Sequence, residues 1–146
     1  MSEINGFNLR VYAIILNGND EVLISDERRN DVFFTKFPGG GLEFGEGLAD
    51  GLRRELREEL NLEAEIGELF YVNDFFQKSA FGKQQLISFY YGAFVDTDKV
   101  PASNHDVPLT EEGEKFRWVK LSDLSADLVT FPIDKYVVSM LKEIEL

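Results

Sequence analysis

A glycine-rich loop that leads directly into a charged helix constrains this chain more than any other stretch of its sequence. The segment from Gly39 to Leu62 begins with three consecutive glycines, has another at Gly45, and continues into a run of leucine, arginine and glutamate. Glycine reaches positive φ at little cost and lets the backbone approach another group closely. The segment therefore predicts a tight loop followed by a helix, whose chemistry depends on which side chains share a face.

Three glutamates fall on one side of this predicted helix. At roughly 100° per residue, Glu58 and Glu59 lie about 60° and about 40° to either side of Glu55. An apolar stripe beside them would dock on a sheet, and arginines occupy the remaining side. The stripe comprises Ala49, Leu52, Leu56 and Leu60, and the arginines are Arg53, Arg54 and Arg57.

This glutamate face needs a compensating charge. Like charges three or four residues apart destabilise a helix by about 0.2–0.5 kcal/mol per pair, and anions near the carboxyl end of a helix are unfavourable. In one interpretation, Arg54 and Arg57 neutralise the carboxylates in a solvated helix. In the other, Mg²⁺ or Mn²⁺ binds them, because hard cations favour carboxylate oxygens. Gly51 on the same face either clears space for such a site or permits a tight contact with a sheet.

The rest of the chain predicts strands on both sides of the helix and a second helix at the end. A hairpin around turn residues 17–20 is expected, then a polar loop at 26–31, a loop at 77–83 and a long polar segment at 96–113. The final helix opens at Phe131-Pro132. This order predicts an α/β fold with a mixed sheet covered by helices. The predicted strands are residues 7–16, 21–24, 33–37, 64–76, 84–95 and 115–119.

Composition and charge narrow the class of protein. A length of 146 residues, of which 44% are hydrophobic, fits one folded domain over residues 1–146. The absence of cysteine excludes disulfides, thiolate metal sites and cysteine nucleophiles. A net charge of −12 opposes binding to nucleic acids and anionic membranes. Without a predicted secretion signal or membrane span, we expect a soluble cytoplasmic protein.

The spacing within the opening segment resembles the box of a known family. Gly40, five residues, Glu46, seven residues and then Arg-Glu-Leu-Arg-Glu-Glu-Leu-Asn-Leu from Arg54 to Leu62 is similar to the Nudix box, G-x5-E-x7-R-E-U-x-E-E-x-G-U. The exception is Asn61, where the family has glycine. That position requires a left-handed residue ending the helix, which asparagine adopts second only to glycine. The strand order also resembles the Nudix α/β/α sandwich.

The resemblance implies an enzyme and a set of metal ligands. Nudix hydrolases use Mg²⁺, or Mn²⁺, to cleave a nucleoside diphosphate linked to another moiety, such as a nucleotide sugar or a nucleoside triphosphate. By motif position, the expected metal ligands are the carboxylates of Glu55, Glu58 and Glu59 and the backbone carbonyl of Gly39. The small-molecule substrate would be nucleotide-derived, and a homodimer is one option because many relatives form one.

The resemblance also implies helper residues around these ligands. Arg54 would orient the carboxylates, and Glu46 would pair with it or support the loop. In this family a further acidic residue, acting as a base or metal ligand, often precedes the later strand that contains tryptophan. Glu111, Glu112 and Glu114 precede Trp118 here, and we select Glu112, with solvated loop charges as the alternative. His105 is either a base or an incidental loop residue.

Two other functions are weighed against hydrolysis. A catalytically silent Nudix-fold domain that binds or senses a nucleotide commonly loses box carboxylates, whereas this chain retains them. Isomerase chemistry on an isopentenyl diphosphate would be expected to use a cysteine, which is absent. Substrate-binding residues are not assigned. Aromatic and basic residues that could contact a base or phosphates are Phe75, Phe76, Phe81, Arg28, Arg29, Lys36 and Lys83.

Overall fold

The structure is a computed structural model that describes residues 3–144, in which the contacts separate two compact units. The first unit contains the chain as far as Ala13 together with Gly39–Val95, and the second contains Ile14–Pro38 and the chain from Asp96 onward. That residues 1–146 form one domain stays a prediction. In chain order the strands are β1 (Phe7–Ile14), β2 (Glu21–Arg29), β3 (Val32–Lys36), β4 (Gly39–Gly41), β5 (Glu65–Val72), β6 (Gln85–Phe94) and β7 (Gly113–Lys120), and the helices are α1 (Leu48–Leu60) and α2 (Pro132–Ile144).

The first unit is built on a four-stranded sheet in the order β4-β1-β6-β5, against which α1 packs through β4 and β5. The glycines of β4 pair antiparallel with β1, and Gly39 lies opposite Tyr12. A Cβ on Gly39, which has φ +139°, would lie 2.1 Å from the carbonyl oxygen of Val11. Only glycine permits this approach. Close pairing with β1 therefore accounts for the first glycine of the loop.

Helix α1 has the faces that the sequence predicts. Leu52, Leu56 and Leu60 are buried, which confirms the apolar stripe for its three leucines, whereas Ala49 is partly buried. The helix ends at Asn61, whose φ of 56° and ψ of 38° are left-handed and whose N–H donates to the carbonyl oxygen of Arg57 at 2.9 Å. Asparagine thus fulfils the role expected of it, because it tolerates this conformation better than other non-glycine residues.

The second unit is built on a three-stranded sheet in the order β3-β2-β7. The predicted polar loop at 26–31 is wrong, because β2 continues to Arg29 and turns at Asn30 and Asp31 into β3. Both turn residues have positive φ, 53° and 64°. Strand β2 pairs antiparallel on both sides, which satisfies its backbone groups despite its polar sequence.

The predicted hairpin at residues 17–20 is present only at its tip. Leu16 bridges to Val22, and the N–H of Leu23 donates to the carbonyl oxygen of Ile15, but β1 and β2 then belong to different sheets. The final helix begins at Pro132, as expected. The α/β class is confirmed, with the strands divided between two sheets. Among the helices described for residues 3–144, none has the length and apolarity needed to cross a membrane.

Candidate metal and catalytic site

The glycine loop and α1 lie in contact at the glutamate face of the helix. A Cβ on Gly40 would lie 2.6 Å from Oε1 of Glu55 and 2.7 Å from its Cδ, so only glycine leaves room for this carboxylate against the loop backbone. The N–H of Gly39 donates to Oε1 of Glu59 at 3.0 Å. Two of the predicted ligands are therefore held directly against β4.

Arg54 organises the remaining carboxylates of this face. Its Nε and Nη2 donate to the two carboxylate oxygens of Glu46 at 2.9 and 2.8 Å, in a bidentate pair. Nη1 donates to Glu55 at 3.1 Å and to Glu58 at 3.2 Å, and Nη2 also donates to the carbonyl oxygen of Gly41 at 2.9 Å. A planar guanidinium suits this task because its donors form a rigid fork. One side chain thus connects the loop to two predicted ligands.

The pair between Arg54 and Glu46 remains ionised over a wide pH range. Hydrogen bonds from Arg54 and then from the backbone N–H of Glu43 lower the pKa of Glu46 from 4.5 to about 2. The same pairing with Glu46 is the main cause that raises the pKa of Arg54. The predicted partnership of these two residues is therefore present in the structure.

Gly51 makes room for the loop. A Cβ at this position would lie 2.5 Å from Cδ1 of Leu42 and 3.0 Å from Oε1 of Glu46. The space is therefore filled by loop side chains, which is neither an open position for a ligand nor a contact with the sheet. Glycine here lets Glu46 reach Arg54 across the helix surface.

The carboxylate oxygens of this helix face are of the kind that bind hard divalent cations. Carboxylates from Glu55, Glu58 and Glu59 share one face, and the carboxylate of Glu55 fills the space that a Cβ on Gly40 would need. Oxygen ligands of this kind suit Mg²⁺ and Mn²⁺. As placed in residues 3–144, no three His, Cys, Asp or Glu side chains converge closely enough to hold a metal ion. The carboxylates instead accept hydrogen bonds from Arg54 and from Gly39.

The three acidic residues before Trp118 belong to the second unit and have different surroundings. Glu111 is exposed. Oε1 of Glu112 accepts a hydrogen bond from the backbone N–H of Asn30, in the turn between β2 and β3, at 2.8 Å. Glu114, in β7, is partly buried and pairs with Lys36. The selection of Glu112 as the further base or metal ligand stays a prediction. The structure adds that its carboxylate binds the backbone of Asn30.

The buried side chain of His105 connects the long loop to Asp26 of β2. Its Nε2 lies 2.7 Å from Oδ2 of Asp26, and its Nδ1 lies 2.8 Å from Oγ of Ser103. Asp26 is fully buried and also accepts hydrogen bonds from Thr35 at 2.7 Å and from Arg117 at 3.2 Å. Sequence reasoning missed Asp26 by placing it in a loop. The dipeptide Asn-Asp at 30–31, both of whose residues tolerate positive φ, is the signal that could have predicted the hairpin.

Solved structures of other proteins share this fold. A MutT protein from Methanosarcina mazei Go1 aligns with a TM-score of 0.70 and 20% identity, covering 98% of this chain and 97% of that one. A NUDIX hydrolase from Nitrosomonas europaea aligns with a TM-score of 0.68 and 20% identity, covering 91% and 86%. At these identities the likeness establishes the fold.

The family follows from the sequence match. The NUDIX domain profile matches residues 6–140, so the chain belongs to the NUDIX domain family. It is similar to the nucleoside triphosphatase NudI of Escherichia coli O81 (strain ED1a), with 41% identity over 90 residues. That match covers 59% of this chain and 61% of the relative, so it spans less than two thirds of the relative's length.

Proposed function

We propose that this chain is a divalent-cation-dependent hydrolase that cleaves phosphoric anhydride bonds in nucleoside diphosphate derivatives, with nucleoside triphosphates as the first substrates to test. The observation that carries the proposal is the contact of the glycine loop with α1, in which Arg54 and Gly39 hold Glu55, Glu58 and Glu59 on one face. The similarity to a nucleoside triphosphatase supports the choice of substrates. We also propose that the substrate is a small nucleotide, that the protein acts in the cytoplasm, and that it binds neither nucleic acid nor a membrane.

The residues proposed to hold Mg²⁺, or Mn²⁺, are Glu55, Glu58, Glu59 and the carbonyl of Gly39. The cation would screen the anionic diphosphate and lower the pKa of the attacking water. Arg54 has a separate task, because its donors hold Glu55 and Glu58 beside the loop. Mutation of a residue that orients metal ligands commonly lowers metal affinity or activity by about 10–100-fold. Glu46 in turn fixes the guanidinium through two hydrogen bonds.

Glu112 is proposed as the general base. Its carboxylate would take a proton from the attacking water as the water oxygen bonds to phosphorus and the anhydride P–O bond breaks. The hydrogen bond from Asn30 uses Oε1 and orients the side chain. Replacement of Glu112 by glutamine should therefore lower kcat, with the thermal unfolding midpoint little changed.

The test is a substrate panel with purified protein. Nucleoside triphosphates, nucleoside diphosphate sugars, dinucleoside polyphosphates and ADP-ribose are assayed for phosphate or pyrophosphate release with Mg²⁺, with Mn²⁺ and with EDTA. We expect cation-dependent turnover of at least one nucleoside triphosphate, abolished by EDTA. Nucleotide binding without any turnover would overturn the enzyme proposal and favour a nucleotide-sensing domain. Light scattering of the same sample tests for a homodimer.

A further inference from the structure

Arg10 lies against the glycine strand β4, on the face of the first unit's sheet that is opposite α1. Arg10 pairs with Gly41 across the two strands, and residues paired in this way share a face. A Cβ on Gly41 would lie 3.5 Å from Nη1 of Arg10, whereas a Cβ on the preceding Gly40 would meet Glu55 of α1. Successive positions of a strand point to opposite faces. Strand β4 therefore has the glutamates of α1 on one side and a guanidinium on the other.

Only backbone separates these two sides, because β4 consists of three glycines. Among the strands described for residues 3–144, β4 is at the edge of its sheet. At this edge the carbonyl oxygen of Gly41 accepts a hydrogen bond from Arg54 at 2.9 Å. The same guanidinium donates to Glu55 and Glu58. Gly41 is half-buried, whereas the two glycines before it are buried. Gly41 is therefore the point at which one ligand can contact both the glutamate face and Arg10.

The guanidinium of Arg10 is held in place by a buried tyrosine. Its Nε donates to the hydroxyl of Tyr12 at 2.7 Å, and its Cζ lies 5.6 Å from the centroid of that ring. Tyr12 is only 8% exposed, and its ring stacks on that of Tyr90 with the centroids 5.2 Å apart. The bond to Tyr12 uses one of the five N–H donors of a guanidinium. Because the side chain is positioned in advance, little conformational entropy is lost when a ligand binds to it.

A guanidinium at this position suits a phosphate group. Its planar fork of donors matches phosphate oxygens, and it keeps its positive charge at physiological pH. The three glutamates on the other side of β4 carry more negative charge than one divalent cation supplies. Such a cation therefore cannot offset the charge of a diphosphate by itself, and a second positive group close to the phosphates would stabilise them further.

We propose that Arg10 binds a phosphate group of the substrate on the side of β4 opposite the glutamates, with Tyr12 as its positioning residue. The proposal rests on the proposed function, since it completes the binding of the same chain of phosphates. One hydrogen-bonded contact between charged groups should improve substrate affinity by about 10–100-fold. Arg10 takes no part in proton transfer, so its loss should raise KM far more than it lowers kcat.

The first test compares wild type with Arg10→Gln in steady-state assays, using the nucleoside triphosphate that is hydrolysed fastest. We expect KM to rise about 10–100-fold and kcat to change by less than about threefold. Arg57→Gln removes the same charge from an exposed position of α1 and is the matched control, which should leave KM unchanged. A wild-type KM in folded Arg10→Gln would overturn the proposal.

Two further variants separate binding from stability. Arg10→Lys keeps the charge without the planar fork, so KM should still rise while the thermal unfolding midpoint changes little. A wild-type KM in Arg10→Lys, together with unfolding of Arg10→Gln, would assign Arg10 a purely structural role. Tyr12→Phe removes the hydroxyl that holds Nε and should also raise KM. In the double variant with Arg10→Gln it should add nothing, because it acts through Arg10. Additive effects would reject Tyr12 as the positioning residue.

Binding measurements test the proposal even if no triphosphate is hydrolysed. Isothermal titration calorimetry with ATP and with inorganic pyrophosphate, each in the presence of Mg²⁺, gives Kd without turnover. Both ligands should bind Arg10→Gln about 10–100-fold more weakly than wild type, because both carry the phosphates that Arg10 contacts. Arg57→Gln should bind them like wild type. Unchanged Kd values, no binding to wild type, or a loss of affinity confined to ATP would overturn the proposal.

Discussion

The two units hold carboxylates in opposite ways. In the first unit, the guanidinium of Arg54 contacts Glu46, Glu55 and Glu58, and Glu58 remains 59% exposed. In the second unit, Asp26 is fully buried and receives donors from three separate segments. The first cluster has more negative charges than its arginine can neutralise, whereas the second has enough donors for its single carboxylate. An excess of accessible negative charge is what a cation site requires.

The two clusters of carboxylates therefore differ in how completely their charge is compensated. A buried carboxylate with every oxygen engaged stabilises the arrangement of strands and loop around it. In the first unit, carboxylates share one guanidinium at a partly open surface. The following variants test this difference, beginning with the largest expected effect.

Asp26→Asn should be the most damaging of these changes. It leaves Arg117 and His105 beside an uncharged amide in a buried position, and loss of one member of a buried pair costs about 3–5 kcal/mol. Urea unfolding measures the loss. Asp31→Asn, in the exposed turn after β2, is the matched control and should change stability by less than about 0.5 kcal/mol. Normal stability with lost turnover in Asp26→Asn would instead make this cluster part of the reaction.

Glu59→Gln should leave the fold intact and reduce kcat at least about a hundredfold, the scale expected when a group that supports transition-state charge is removed. The amide can still accept the hydrogen bond from Gly39 but carries no charge for a cation. Steady-state assays with Mg²⁺ and thermal unfolding are measured together. Glu63→Gln, whose carboxylate pairs with Arg57 on the surface, should retain activity. Near-normal turnover of Glu59→Gln would contradict the metal assignment.

Arg54→Lys should lower kcat about 10–100-fold, because an ammonium cannot reproduce the bidentate pair with Glu46 while also reaching Glu55 and Gly41. The apparent affinity for Mg²⁺, from activity against cation concentration, should weaken as well. Arg53→Lys is the neighbouring control, since Arg53 pairs only with Asp50 at an exposed position among its described contacts. Equal activity of both variants would remove Arg54 from the site.

Glu46→Gln should give the smallest effect, seen as a change in the pH dependence of stability. The folded pKa of about 2 lies below the ordinary value of 4.5, so the contribution of Glu46 is present above pH 4.5 and is lost as the pH falls to about 2. Urea midpoints of wild type and variant should therefore differ by a constant amount at neutral pH and converge near pH 2. Parallel curves throughout would contradict the ion pair.

The sequence predicts the first cluster because its members are close along the chain. Glu55, Glu58 and Glu59 share a face through helical spacing alone, and the left-handed end of the helix follows from the preference of Asn61. Even the pair of Glu46 with Arg54 spans only eight residues. Gly51 is the exception, since the Leu42 and Glu46 side chains that require it are known only once the loop folds back over the helix.

By itself, then, the sequence determined the α/β class, helix α1 with its three faces, and the box that places the chain in its family. Only the tertiary structure decided that Asp26 is buried, that His105 tethers the long loop, and that Glu112 and Glu114 have different surroundings. Helical periodicity is a local property that neighbouring residues reveal. Strand pairing instead brings Asp26 to Arg117, 91 positions away, and the fold of the long loop brings it to His105, 79 positions away. No local pattern records which strands will pair.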